Sequence, residues 1–170
     1  MSTYRLDKLF APSSVAVVGA SPRDHSLGRT LLLNLRAGGF AGPIHPINPK
    51  YREIDGLPAA ARVGDLATPP DLVVIASPPA TVPGVVEDAG RKGAAAAIVI
   101  TAGLGAGEGS LAEEARVAAR RHGLRLVGPN CLGVMAPHSR LNASFAARTP
   151  AAGDLALVSQ SGAIAAGLVE

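Results

Sequence analysis

Gly19, Ser21, Ser26 and Gly28 lie in one turn, "GASPRDHSLG", between the apolar run "SVAVV" and a segment with leucines at 27, 31 and 35. A strand running into a helix through such a turn presents free backbone N–H groups and the positive end of the helix dipole, which is the chemistry of phosphate binding. The turn departs from the dinucleotide fingerprint: Ser21 replaces the second glycine, and the gap to Gly28 exceeds that of G-x-G-x-x-G. A glycine at that point lets the backbone approach a pyrophosphate, so the NAD pose is disfavoured. The next apolar segment, "PIHPINPK", ends on Asn48 and Lys50, where an NAD site would place a carboxylate for the ribose hydroxyls. A cation there suits a ribose that carries phosphate, as in NADP or coenzyme A; a plain surface lysine is the alternative.

The same punctuation recurs along the chain. Five apolar runs, "VAVVGAS", "LVVIASPP", "AAIVITAGLG", "LRLVGPNC" and "LALVSQSG", each stop at small or turn-forming residues. Their ends carry Ser77, Thr101, Gly103, Gly128, Asn130, Ser159 and Ser161. For any one position a tight turn is explanation enough; the recurrence favours a lined ligand edge. Between the runs, spacing predicts helices over Leu27–Arg36, Ala80–Lys92 (interrupted early by Pro83 and Gly84) and Leu111–His122, the last opening on a capping box of Ser110 and Glu113. Apolar strands without alternation, separated by amphipathic helices, predict an α/β fold with a doubly wound, mostly parallel sheet and ligands at the carboxyl ends of its strands.

The composition, 170 residues and 48% hydrophobic, supports one ordinary domain with a packed core. The longest apolar stretch, Ala94 to Ala102, is far short of the roughly 20 residues that cross a bilayer, and the N-terminus lacks a signal peptide's layout. A cytoplasmic protein without membrane partners is expected. A single cysteine, Cys131, excludes an internal disulfide framework and makes no metal site by itself. The net charge of +3 is dispersed apart from Arg116, Arg120, Arg121 and Arg125, which read as a solvated helix face, and with 3% aromatic residues there is little case for nucleic acid.

Taken in order, "SVAVVGAS" with "SLGR", "GGFAGPIHPINPK", "DLVVIASPP", "AIVITAGLG", "LRLVGPNCLGV" and "LALVSQSGA" resemble the CoA-binding domain of NDP-forming acyl-CoA synthetases. That group includes ADP-forming acetyl-CoA synthetase and, more distantly, the succinyl-CoA synthetase alpha subunit. The resemblance implies coenzyme A as the ligand. It places Gly19, Ser21, Ser26 and Gly28 in the phosphate-holding turn and Lys50 near the CoA phosphates or adenosine ribose. Ser77, Pro78 and Pro79 would wall the adenine side, and Thr101, Ala102 and Gly103 would follow the CoA body. Ala102 stands where succinyl-CoA synthetases carry an acidic residue, which pulls the match toward the acetyl-CoA branch. Asn130 would satisfy loop backbone groups or touch the pantetheine, and Cys131 is expected to pack rather than to carry acyl groups.

Residues 1–150 are thus expected to form the CoA-binding domain. Residues 151–170 would be the first strand-turn-helix of a following, truncated ligase domain, or an edge element packed on the first. In that turn Ser159, Ser161, Gly162 and Ala163 resemble the loop that holds a phosphate carried on an active-site histidine. None of His25, His45, His122 and His138 lies in a stretch like that histidine's site, although His25 sits in the first phosphate turn. The chain alone is expected to bind CoA without turnover, with the remaining ligase and ATP-grasp domains as partners in cis or in trans. A CoA-binding domain fused to a protein lysine acetyltransferase and a stand-alone CoA or nucleotide sensor remain alternatives. An NADP-dependent reductase is disfavoured by Ser21, the long turn and the lack of a Tyr-x-x-x-Lys pair.

Overall fold

The computed structural model describes residues 4–169. Five parallel strands form the central sheet: β1 (Val15–Val18), β2 (Ile44–Ile47), β5 (Leu72–Ile75), β6 (Ala96–Val99) and β7 (Arg125–Val127), in the order β2-β1-β5-β6-β7. Every residue of β1, β5 and β6 is buried, which is why these runs show no alternation: helices cover both faces. On one face Ala16, Val18, Val73, Ile75, Ala97 and Val99 join the core under α3 (Val82–Lys92) and α4 (Leu111–Arg121). On the other, Val15, Val17, Leu72, Val74, Ala96 and Ile98 pack with Leu31, Leu32 and Leu35 of α2 (Leu27–Ala37) and with Leu9 of the short α1 (Leu6–Phe10). The strand order reverses between β1 and β5, so the switch point that favours ligands lies at their carboxyl ends.

The expected helices form with small shifts at their ends. Pro83 does not break α3; it sits at the start of the helix, where a missing N–H costs nothing, after a 3-10 turn over Pro79–Thr81. Ser110 caps α4 through its Oγ, which accepts from the Glu113 N–H at 3.2 Å. Only half of the capping box is made, because the Glu113 carboxylate turns to Arg116.

Two hairpins escape the sequence reading. β3 (Glu53–Ile54) and β4 (Leu57–Pro58) pair antiparallel around Asp55 and Gly56, both with positive φ. β8 (Gly133–Ala136) and β9 (Leu141–Ser144) pair antiparallel, and β9 packs against α2. Asn34 of α2 donates to the carbonyls of Ser144 and Ala146 at 2.8 and 3.0 Å, tying this hairpin to the helix. The strand expected in "LALVSQSG" is corrected: residues 155–158 form none, and Leu155 and Val158 are 100% and 96% exposed. A strand needs a neighbour to satisfy its backbone, and among the described residues no sheet edge pairs with this segment. The helix after it does form, as α5 (Gly162–Val169). Among the described residues no helix is long and apolar enough to cross a membrane.

Candidate functional site

The turn after β1 is assembled by close backbone packing. Gly19 has φ +87°, and a Cβ there would lie 2.6 Å from the Ala76 carbonyl oxygen, so the β1 and β5 turns touch across the switch point. Gly28 opens α2 against that turn, and a Cβ would stand 2.0 Å from the Gly19 carbonyl oxygen. Both glycines are therefore required by approach distance.

Ser26 caps α2: its Oγ accepts from the Arg29 N–H at 3.4 Å and donates to the Arg23 carbonyl at 2.8 Å. The N–H groups of Leu27 and Gly28 find no acceptor among the described residues, leaving the first turn of α2 open to an anion. Ser21 is buried, and its Oγ accepts from both the backbone N–H and the Nε of Arg23, at 3.2 and 3.3 Å. Arg23 is a cation in the turn that sequence reasoning passed over. Its signal was present as a basic residue inside "SPRDHSLG", but only the fold shows it strapped to Ser21. Arg29 is committed elsewhere, shared between Asp24 and Asp55. His25 is exposed with φ +56°.

Asn48, at the end of β2, donates from Nδ2 to the Ala20 carbonyl at 2.7 Å and accepts from the Lys50 N–H at 2.9 Å. It thus straps the second strand end to the turn after β1 and sets the start of Lys50. The Lys50 side chain is exposed and pairs with nothing among the described residues.

A chain of hydrogen bonds continues along the sheet edge. Thr101, buried, donates from Oγ1 to the Ser77 carbonyl at 2.8 Å; the Ser77 Oγ lies 2.8 Å from the Thr81 Oγ1; and the Asn130 N–H donates to the Thr101 carbonyl at 3.1 Å. Pro78 is exposed and Pro79 half-buried, with its Cγ 3.6 Å from where a Cβ of Gly103 would stand. Ala102 and Gly103 are exposed. Asn130 adopts φ +55° at the exposed end of β7. The structure brings Gly19, Ser21, Gly28, Ser77, Thr101, Gly103 and Asn130 onto one continuous edge, with Lys50 beside its β1 end.

Cys131 points inward, its Sγ donating to the Val99 carbonyl at 3.3 Å, and burial pushes the thiol up. That is a packed residue rather than a poised nucleophile. The segment Ser159–Gly162 comes to the same end of the sheet: an open groove of about 380 Å³ runs between Asn130, Cys131 and Leu132 on one side and Gln160, Gly162 and Ala166 on the other. Ser161 Oγ caps α5 by accepting from the Ile164 N–H at 3.4 Å, and Ser159 Oγ accepts from the Ser161 N–H at 3.1 Å. A second depression lies on the outer face of α4, between Glu113, Val117 and Arg121, and includes no strand-end residue.

The remaining histidines stand apart from the edge. His45 lies within β2, where burial lowers its pKa; His122 lies 3.0 Å from Glu87; and His138 Nε2 is 3.0 Å from the Gly153 carbonyl. Among the described residues no three His, Cys, Asp or Glu side chains gather as metal ligands.

The chain is similar to several known proteins. A family model described as a CoA-binding domain matches residues 13–137. The ADP-forming acetate–CoA ligase of Methanocaldococcus jannaschii is 42% identical over 162 residues, 95% of this chain and 23% of that protein. Its counterpart I from Archaeoglobus fulgidus is 41% identical over 168 residues, covering 97% of this chain and 24% of the relative. Among solved structures, the dinucleotide forming acetyl-coenzyme A synthetase 1 of Ca. Korarchaeum cryptofilum, in complex with phosphate and ADP, superposes with a TM-score of 0.89 at 41% identity, over 96% of this chain and 36% of that one. The chain spans about a quarter of the length of these curated relatives.

Proposed function

The chain belongs to the family of CoA-binding domains, and from that premise we propose that it binds CoA along the carboxyl edge of its sheet as one part of an ADP-forming acid–CoA ligase. The diphosphate would sit on the open first turn of α2, held by the amides of Leu27 and Gly28 and by the Arg23 side chain. Lys50 would meet the ribose phosphate. The adenine would rest near Ser77, Pro78 and Pro79, and the pantetheine arm would run past Thr101, Ala102 and Gly103 to Asn130. The remaining catalytic parts, a phosphohistidine domain and an ATP-grasp module, would come from elsewhere in the ligase. Residues 151–170 would lead into the first of these, with Ser159, Ser161 and Gly162 as its phosphate turn, in a cytoplasmic enzyme.

The observation that carries this reading is the unpaired Lys50 at the end of β2, where a dinucleotide site needs a carboxylate. A lone phosphate contact from a lysine contributes about 1.5 kcal/mol, or roughly tenfold in affinity. Calorimetric titration with CoA, 3'-dephospho-CoA, NADPH and NAD tests it. CoA should bind, dephospho-CoA should bind about tenfold more weakly, and Lys50→Ala should erase that difference. Binding of NADPH without CoA would overturn the assignment of the ligand.

A further inference from the structure

We infer that the groove between the β6 and β7 strand ends and α5 receives the acyl group of an acyl-CoA, and that it suits a neutral, apolar acyl group larger than acetyl. The inference rests on the CoA reading above and extends it to the class of acid. Two geometric facts place the groove at the thiol end of the ligand. First, it shares Asn130 with the hydrogen-bonded strand edge, so it continues the same surface. Second, β7 lies three strand spacings from β1, about 14 Å at the spacing of a sheet. A pantetheine arm has about twelve backbone bonds, the equivalent of four extended residues, and so reaches about 14 Å. An arm that starts from a diphosphate at the β1 turn therefore ends where the groove begins.

The lining sets the chemistry. Ile100, Cys131, Leu132, Phe145 and Ala166 supply apolar surface, Asn130 and Gln160 are its polar side chains, and among the described residues no Asp, Glu, Lys or Arg borders it. Cys131 cannot turn its thiol outward without giving up the Val99 carbonyl. A dicarboxylic acyl group would bring a second carboxylate to this lining with no cation among the described residues to meet it. In size, the groove offers about 380 Å³ and opens to solvent. An acetyl group, with three heavy atoms, leaves most of that space to solvent.

The test is the affinity of the chain for CoA, acetyl-CoA, butyryl-CoA, phenylacetyl-CoA and succinyl-CoA. Each methylene fully buried improves binding by about fourfold, so butyryl-CoA should bind between about four- and fifteenfold tighter than acetyl-CoA, and phenylacetyl-CoA tighter again. Succinyl-CoA should fall below butyryl-CoA. Ala166→Phe fills the groove from α5, away from the residues assigned to CoA, and should abolish the butyryl advantage while CoA affinity stays unchanged. Phe145→Ala reduces the same advantage by a route that adds no bulk. Equal binding of acetyl- and butyryl-CoA, tighter binding of succinyl-CoA than of butyryl-CoA, or an advantage that survives both substitutions overturns the acyl groove while leaving CoA binding intact. Failure of CoA itself to bind overturns the underlying reading and the groove with it.

Discussion

Replacing Gly28 with alanine should unfold the turn after β1 from the inside. The added Cβ would lie 2.0 Å from the Gly19 carbonyl oxygen, 2.8 Å from its carbon and 2.9 Å from the Ala20 Cα, all backbone atoms. No rotamer change relieves such contacts, so α2 or the turn must move by about 1 Å to restore ordinary separation. The helix resists, because Leu31, Leu32 and Leu35 are buried beneath it and contribute about 2 kcal/mol each. The turn resists as well, since Gly19 has the Ala76 carbonyl beside it and Ala20 is held by Asn48. Overpacking of this kind costs about 3 kcal/mol, which in a domain of this size lowers Tm by roughly 6 to 12 °C. Gly84→Ala is the matched control: that glycine lies exposed within α3 with nothing within 4 Å of a Cβ, so alanine should stabilise by about 0.5–1 kcal/mol. Thermal unfolding followed by circular dichroism reads both variants. If Gly28→Ala melts at or above the wild-type temperature, the packing argument for this turn is wrong.

Other outcomes follow from the same contacts. Asn34→Ala leaves the carbonyls of Ser144 and Ala146 without their donor and should cost about 2 kcal/mol, seen as a lower denaturation midpoint at unchanged slope. Burial pushes the Asp71 carboxyl up, but the Ser13 N–H and the Lys8 ammonium more than offset it, and the net shift is downward. Its stabilising contribution is therefore full above the ordinary carboxylate range and lost as pH falls through the lower folded value. Asp71→Asn should destabilise the protein at neutral pH and flatten this acid limb in pH-dependent melts. Burial also keeps the Cys131 thiol protonated, so iodoacetamide should modify the native chain more slowly than free cysteine at pH 8, with guanidinium removing the protection.

The parallel sheet was legible because β1, β5 and β6 are buried on both faces and therefore appear as unbroken apolar runs. The β8–β9 hairpin was not: its connection runs through Pro137–Ser139 and Arg140 with φ +53°, without the Asn-Gly or Gly-Gly signal of a tight hairpin. The segment at 155–158 misled in the opposite direction, since "LALV" has strand composition but pairs with no sheet edge among the described residues. At the site, turn glycines and serines were readable from their places after strands. Asn48 was visible as a residue, yet its strap to the Ala20 carbonyl depends on β2 lying beside β1, a long-range fact that local spacing does not contain. Arg23 was hidden for a different reason: its partner Ser21 is only two residues away, but the bond forms only in the bent backbone the turn adopts.

The central claim, that one ligand lies along the strand ends from the β1 turn to Asn130, is tested most directly by mapping amide resonances of the labelled chain during titration with CoA. The account predicts shifts at Gly19, Ser21, Leu27, Gly28, Lys50, Ser77, Thr101, Gly103 and Asn130, with α4 from Glu113 to Arg121 unmoved. Saturating shifts confined to α4, or a map in which the β1 turn stays silent while CoA binds, would contradict it.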